Sequence, residues 1–255
     1  MKVGHCRLCH AYGELSFEHV PPKVSYNKTT RYKSVPFLDF IKSDDIKGST
    51  FKSKIQQGGI GFYSLCKPCN NKLGVNYVSA YHNFVKTIGY LGARNTYNHF
   101  VVEIRELELL KILKQICSMF LSINDIHFSN THPELADFVN NLESQTLPEL
   151  YRFFMYINTE GNFRHLPVLL KGNFNSNISI LCSEIAFPPV GLVMTIDYKG
   201  QMDYLTEITH FKNYKLADKL DIDLGIYKLP TFSPFPLDYR HLDEIQDAMK
   251  DNSSI

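Results

Sequence analysis

Residues 61 to 74, GFYSLCKPCNNKLG, carry the pattern that decides the fold of the N-terminal part of this chain. The glycine-bounded aromatic and apolar run at 61–65 predicts a short strand. Cys66 and Cys69 follow it directly, with two residues between them. A helical stretch begins at Asn70, so the sequence predicts a strand, a tight cysteine turn and a helix in succession.

A second cysteine pair with the same spacing, Cys6 and Cys9, lies near the N-terminus. Four thiolates are the number that a tetrahedral structural zinc site needs, and the spacing lets both sulfurs of a turn point at one ion. We therefore predict a structural Zn²⁺ bound by Cys6, Cys9, Cys66 and Cys69, with residues 10–65 inserted between the two pairs. The remaining cysteines are isolated in apolar surroundings and are predicted to be buried core residues. They are Cys117 and Cys182.

The stretch SFEHVPPK, residues 16 to 23, lies between the cysteine pairs. Residues 13–17 are typical of a short strand, which ends at Glu18 and His19. Two strands and a helix joined by one zinc site would bring Glu18, His19 and Asn70 close together. The alternative is a turn before the prolines in which His19 only caps a strand.

Such a cluster has the residue types for hydrolysis of a phosphodiester. The carboxylate of Glu18 and the amide oxygen of Asn70 suit a hard cation such as Mg²⁺ or Mn²⁺. An imidazole is the side chain best suited to deprotonate the attacking water near neutral pH, and His19 supplies one here. A divalent cation stabilises the charge that builds on the phosphate and on the leaving oxygen. We therefore predict Glu18 and Asn70 as ligands of a catalytic metal and His19 as general base.

These motifs together resemble a known family. The order C-x2-C, E-H-V-P-P and L-C-x2-C-N-N-x-x-G, over about residues 4–85, resembles an HNH endonuclease of the ββα-metal class with a structural zinc. The resemblance implies that the acidic residue before the first histidine binds the catalytic metal, here Glu18. It also implies that His19 is the general base and that Asn70, after the second cysteine pair, is the other metal ligand. The rest of the chain resembles bacterial proteins that join this module to an uncharacterised C-terminal region, which implies nothing about function.

One position departs from the pattern of the family. Its middle asparagine, which braces a loop and orients the histidine, usually stands shortly before the third cysteine. Gly61 takes that place here, and no asparagine occurs from residue 28 to 69. The brace must come from a backbone carbonyl or from another side chain, or it is missing.

The charge distribution is strongly asymmetric. Residues 1–94 hold 14 Lys/Arg and 5 Asp/Glu, a net charge of +9, and the remainder holds 13 and 21, a net charge of −8. A basic half favours a polyanionic partner, usually nucleic acid, although a solvated surface without a partner has the same composition. We predict that Lys23, Lys67 and Lys72 contact nucleic-acid phosphates. In the basic loop at 23–58 the interleaved aromatic rings either stack on bases or form a small core.

Composition limits the class of protein. The chain has 255 residues and is 44% hydrophobic, which is enough for a proper core. It contains no apolar run long enough to cross a membrane, and the start MKVGHCRLCH lacks the apolar region of a signal peptide. A cytoplasmic protein without membrane contact is therefore expected. The polar run at 94–96 places a domain boundary near residue 95, which predicts an HNH-type nuclease domain at 1–95 and an α+β domain at 96–255.

The second half changes from a helical to a strand-like pattern. Apolar spacing predicts an amphipathic helix at 103–123 and shorter helices at 133–142 and 147–157. Four later stretches are typical of strands: 163–172, 178–187, 190–198 and 203–211. The fold class is thus α+β: an N-terminal zinc-stapled ββα-metal module, then a helical segment and an antiparallel-sheet module. The second half is expected to bind a regulatory protein or to form a homodimer.

Together these features predict an enzyme, a metal-dependent HNH endonuclease that acts on DNA. DNA is favoured over RNA as partner, and bacterial defence is the usual setting of such modules. Two alternatives stay open: a catalytically inactive zinc-stabilised nucleic-acid-binding or adaptor protein, for which the departure at Gly61 is the main support, and a ribonuclease. The same cluster can attack either nucleic-acid backbone.

Overall fold

The computed structural model describes residues 2–36, 39, 54–173 and 178–252. Over these residues the chain is a mixed α+β protein with twelve strands in three sheets and six α-helices. None of the helices described is both long and apolar enough to span a membrane. Six of the lysine and aromatic residues in the basic loop at 23–58 lie outside the described residues. They are Phe37, Phe40, Lys42, Lys47, Phe51 and Lys52.

The N-terminal part contains a three-stranded antiparallel sheet and a separate two-stranded ribbon. The strands are β1 (Lys2–His5), β2 (Tyr12–His19), β3 (Arg31–Ser34), β4 (Lys54–Gln57) and β5 (Gly61–Cys66). The sheet has the order β1-β2-β5, whereas β3 pairs only with β4. Helix α1 (Lys67–Asn76) follows β5 without a break, and α2 (Val78–Arg94) begins after Tyr77. The strand and the helix predicted from 61–74 are confirmed, but the helix begins at Lys67 rather than at Asn70, so Cys69 lies in its first turn and no separate turn precedes it.

The second half is built on a larger sheet. Its elements in chain order are β6 (His99–Leu107), α3 (Leu109–Ile123), α4 (Ile126–Thr131), α5 (Pro133–Asn140), β7 (Tyr151–Gly161), β8 (Arg164–Asn173), β9 (Ile178–Phe187), β10 (Val190–Ile196), β11 (Thr206–Glu207), β12 (Leu220–Thr231) and α6 (Leu242–Asn252). The sheet has the order β6-β12-β7-β10-β9-β8, with β11 on β7. Strands β12 and β7 run parallel and the other pairs are antiparallel.

Three predicted elements differ in the structure. Residues 103–107 belong to β6 rather than to a helix, because their backbone pairs with β12, for example Ile104 with Ile222. Residues 151–157 belong to β7, where the run YRFFMYI suits a strand that is buried between two neighbours. Only two residues of 203–211 form a strand, and a 3₁₀-helix follows at Thr209–Asn213. The helix predicted at 133–142 and the strands at 163–172, 178–187 and 190–198 are confirmed.

Helix α3 is the centre of the molecule. Every residue of it except Lys111 is buried, which is typical of a helix that has neighbours on all sides. It packs against β5, α1 and α2 on the N-terminal side and against α5 and β8 of the second half. One hydrophobic core consequently extends from Cys6 to Ile226 and crosses the predicted boundary near residue 95.

The end of the chain is attached to the large sheet by a buried ion pair. The fully buried Glu184 of β9 accepts two hydrogen bonds from Arg164 of β8, at 2.7 and 3.0 Å. The hydroxyls of Tyr156 and Tyr239 donate to the same carboxylate at 2.9 and 3.0 Å. Because the buried charges of Arg164 and Glu184 are paired and hydrogen-bonded, this group stabilises the packing of the segment around Tyr239 on the sheet.

Candidate functional site

The four cysteines of the two pairs form one cluster. The Sγ atoms of Cys6, Cys9, Cys66 and Cys69 all lie within 4.8 Å of one another, and those of Cys9 and Cys66 are 3.7 Å apart. Zinc–sulfur bonds of about 2.3 Å in a tetrahedron give sulfur–sulfur edges of about 3.8 Å. The predicted cluster is confirmed, and it could hold a metal such as zinc.

Local backbone geometry forms both halves of this cluster. The turn after β1 is closed by a hydrogen bond from the His10 amide to the Cys6 carbonyl, at 2.8 Å. The second pair spans the end of β5 and the first turn of α1, where Pro68 suits the helix start. Burial raises the pKa of the Cys69 thiol, and the nearby Cys6 raises it further. A bound cation reverses this effect because it stabilises the thiolates.

Glu18 lies on the side of β2 that faces the helices. Its residue is 5% exposed, and its Oε2 accepts hydrogen bonds from Ser64 of β5 and Ser122 of α3. Burial raises the pKa of this carboxyl to about 7, whereas Ser122, Ser64 and the charge of Arg7 lower it. The side chain is therefore enclosed by both halves of the chain, and each polar neighbour favours its ionised form.

Asn70 lies against the same strand. Its Nδ2 is 3.1 Å from Ser16 Oγ and 3.5 Å from the Phe17 carbonyl oxygen. Ser16 and Glu18 occupy alternate positions of β2 and so belong to the same face. The structure thus brings Asn70 to the helix-facing side of β2, close along the strand to Glu18.

His19 belongs to the opposite face of β2. Its Nε2 is 3.0 Å from the carbonyl oxygen of Gly58, and its ring meets the edge of Phe17 at a centroid distance of 5.1 Å. A carbonyl only accepts hydrogen bonds, so Nε2 carries the proton and Nδ1 of the neutral ring keeps a lone pair. Glu18 and His19 therefore flank the end of one strand but point to different sides of it.

Asn27 braces the loop that holds His19, and sequence reasoning missed it. The residue is fully buried. Its Nδ2 donates to the carbonyls of Pro21 and Ile60, and its Oδ1 accepts from the Ile60 amide, each at 2.7 Å. A side chain therefore ties the segment after β2 to the segment before β5.

The two glycines at 58 and 59 fit this brace. Both have positive φ angles, 98° and 97°, a region that side chains rarely adopt. A Cβ atom on Gly59 would lie 2.1 Å from the Asn27 carbonyl oxygen and 2.7 Å from His19 Cδ2. The close contacts with Asn27 and His19 explain the glycine at 59, and the positive φ angle explains the glycine at 58.

The three lysines predicted to contact phosphates have different surroundings. Lys23 follows the two prolines and Lys67 opens α1, and both are exposed. Lys72 reaches across to the second half, where its Nζ donates to the Asn140 carbonyl at 2.7 Å. That carbonyl belongs to the last residue of α5, an end that favours a cation. Lys23 and Lys67 are thus the two that present their charge to solvent.

Residues from the second half complete the surroundings of β2. Besides Ser122, the ring of His165 in β8 bonds through Nε2 to the Val20 carbonyl, at 2.8 Å. Arg7 donates to the carbonyl of Ser122. No local pattern marks these residues in the sequence, because their partners lie more than a hundred positions away.

Comparisons with protein-family models, with curated proteins and with solved structures found no match to this chain. The roles of Glu18, His19 and Asn70 stay predictions.

Proposed function

We propose that this protein is a metal-dependent endonuclease of the HNH type that hydrolyses phosphodiester bonds in DNA. The observation that supports it most is the succession of β2, β5 and α1 around the cysteine cluster. These three elements carry Glu18, His19 and Asn70, the residue types that the reaction needs. In this proposal the three elements and their metal form a ββα-metal module.

His19 is the general base of this proposal. The Gly58 carbonyl holds Nε2 in its protonated form, so Nδ1 can accept a proton from water. Asn27 and the Gly58–Gly59 turn keep that carbonyl in place. The half-buried position of the ring and its contact with Phe17 limit its rotation.

Glu18 and Asn70 would hold the catalytic Mg²⁺ or Mn²⁺. Glu18 lies on the helix-facing side of β2, and Asn70 of α1 contacts Ser16 on that side. An ionised carboxylate with an amide oxygen is a donor set that suits a hard cation. Burial raises the pKa of the Glu18 carboxyl to about 7, against the opposite effect of Ser122, Ser64 and Arg7, and a bound cation would favour the ionised form. When bound, the metal supplies stabilisation of the negative charge on the phosphate and the leaving oxygen.

Exposed cations provide the contact with the nucleic-acid backbone. Lys23 follows the strand that carries Glu18 and His19, and Lys67 lies at the start of the helix that carries Asn70. Each phosphate that a lysine neutralises releases counterions, so binding is expected to weaken as salt rises. The net charge of +9 over residues 1–94 is in keeping with a polyanionic substrate.

Plasmid cleavage by the purified chain tests the proposal. We expect Mg²⁺ or Mn²⁺ to support nicking or linearisation, and His19→Ala to lower the rate at least about 100-fold because general-base catalysis contributes that much. Glu18→Gln should lose metal-dependent cutting as well. The matched control is His127→Ala, which removes an exposed histidine of α4. Cutting by His19→Ala at the rate of His127→Ala would contradict the assignment of the base.

One observation favours a second candidate function. The carboxyl of Glu18 already accepts two hydroxyl hydrogen bonds in a buried position, an arrangement that also suits a purely structural role. The second candidate is therefore a zinc-stabilised nucleic-acid-binding protein without catalytic activity. Absence of cutting by wild type with either metal, together with intact DNA binding, would support it. Matched RNA substrates in the same assay separate a ribonuclease from a DNA endonuclease.

A further inference from the structure

A row of exposed rings crosses the N-terminal sheet on the face opposite Glu18. Tyr63 of β5 and Phe17 of β2 are paired across the two strands, and their ring centroids are 5.3 Å apart. Phe17 continues the row to His19 at 5.1 Å. At the other end the ammonium of Lys2 lies 4.7 Å from the centroid of Tyr63.

The row is open to solvent although its rings are apolar. Tyr63 is 40% exposed and Phe17 is 39% exposed. A Cβ atom on Gly61 would lie 2.8 Å from the Phe17 ring. The glycine at this position of β5 therefore leaves the space that the Phe17 ring occupies. Single exposed aromatic residues are common on protein surfaces, but here two rings touch and lead to the proposed general base.

From this arrangement we infer that the Tyr63–Phe17 row stacks the bases of single-stranded DNA and leads the strand to His19. The inference rests on the proposed function and narrows its substrate to an unpaired segment. Rings on a sheet face can stack only on bases that are unpaired and turned outward, because the faces of bases within a duplex are covered by their neighbours.

Charge complementarity supports a nucleic acid as the occupant. Cationic Lys2 borders the row at one end, and exposed Lys23 follows the His19 end of β2 along the chain. The N-terminal residues 1–94 carry a net charge of +9. A protein partner with an apolar patch would gain nothing from this excess of positive charge, whereas a DNA backbone would.

Fluorescence anisotropy with the zinc-loaded chain of residues 1–255 tests the inference. The probes are a labelled 15-nucleotide DNA strand of mixed sequence, the same strand as a duplex, and RNA of the same sequence. No Mg²⁺ or Mn²⁺ is added, so the result does not depend on cutting. We expect the single DNA strand to bind more tightly than the duplex, and Tyr63→Leu to weaken this binding about 10-fold because one stacking contact is lost.

Tyr12→Leu is the matched control, since Tyr12 is 70% exposed on the other face of the same strand as Phe17. It should bind like wild type. Equal loss of affinity in both variants would overturn the inference, and so would duplex binding at least as tight as single-strand binding. Tighter binding of RNA than of single-stranded DNA would overturn the choice of DNA.

Photo-cross-linking of a bromodeoxyuridine strand to wild type should label Tyr63 or Phe17. Labelling only at other residues would also overturn the inference. Single-strand binding without metal-dependent cutting would leave this inference intact and remove the proposed nuclease.

Discussion

At the scale of single residues, the side chain of Asn27 holds together two backbone segments, beyond the paired ends of β2 and β5, that no strand pairing joins. Its amide joins backbone groups of Pro21 and Ile60 that are 39 positions apart in sequence, by three hydrogen bonds of 2.7 Å. All of these groups are buried, so water does not compete for them. The conformation of the loop that contacts His19 therefore needs a side chain that both donates and accepts hydrogen bonds in this geometry, as an amide does.

Asn27→Ala should destabilise the protein by about 2–4 kcal/mol, because the Ile60 amide and the Pro21 carbonyl lose a buried partner. Urea unfolding followed by circular dichroism measures this change. Asn83→Ala, which alters an exposed position of α2, is the control and should stay within about 0.5 kcal/mol of wild type. Equal stability of the two variants would show that the loop is held by other contacts.

At the scale of elements, the cysteine cluster connects segments that are distant in the sequence but neighbours in the N-terminal sheet. It joins the turn after β1 to the junction of β5 and α1. The inserted segment 10–65 is long, and closing a long loop costs entropy that grows slowly with its length. Because a preformed site rarely exists in an unfolded chain, metal binding free energy becomes folding free energy.

Removal of the metal should therefore unfold the N-terminal sheet. We expect one zinc per chain by elemental analysis, and a decrease in Tm of at least about 10 °C after chelation. Cys69→Ser should lose the zinc, whereas Cys182→Ala, a buried cysteine of β9 outside the cluster, should keep it. Full zinc content in Cys69→Ser would contradict the assignment of this ligand.

At the scale of the whole molecule, the two halves of the chain are closely joined around β2. Ser122 of α3 bonds to Glu18, and His165 of β8 bonds to the carbonyl of Val20. The hydrophobic core is continuous from Cys6 to Ile226. The division at residue 95 stays a prediction, but the site at the end of β2 is built from both sides of it.

The burial of His165 makes stability depend on pH. Burial lowers the pKa of His165 to about 4, below the usual value for an unfolded chain of about 6.5. Between these two pH values the unfolded state therefore binds more protons than the folded state. The contribution of neutral His165 to the free energy of unfolding is complete above pH 6.5. It is lost as the pH falls from 6.5 to 4, by about 3 kcal/mol in total.

Urea unfolding of wild type and His165→Gln at several pH values from 7 to 4 measures this contribution. The variant is less stable at pH 7, but its stability should fall less steeply in acid than that of wild type. His127→Gln, at an exposed site, should keep the wild-type slope. Identical slopes for wild type and His165→Gln would show that His165 is not buried in its neutral form.

The sequence predicted those features of the site that depend on near neighbours. The two C-x2-C pairs predicted the cysteine cluster because their spacing fixes a turn around one ion. The patterns at 13–19 and 61–74 predicted β2, β5 and α1, since alternation and the cysteine turn are local signals. The same reasoning failed at 103–107 and 151–157, where the apolar spacing also fits a helix and pairing with distant strands decides the conformation.

Only the tertiary structure decided the surroundings of the predicted site residues. It directs Glu18 towards Ser122 and His19 towards Gly58, because neighbouring positions of a strand face opposite sides. It also places Asn27 where its side chain bonds to the backbone of Ile60, and it leaves the rings of Tyr63 and Phe17 exposed. Local sequence determined β2, β5 and α1, whereas burial and hydrogen bonding between distant segments determine what each side chain can reach.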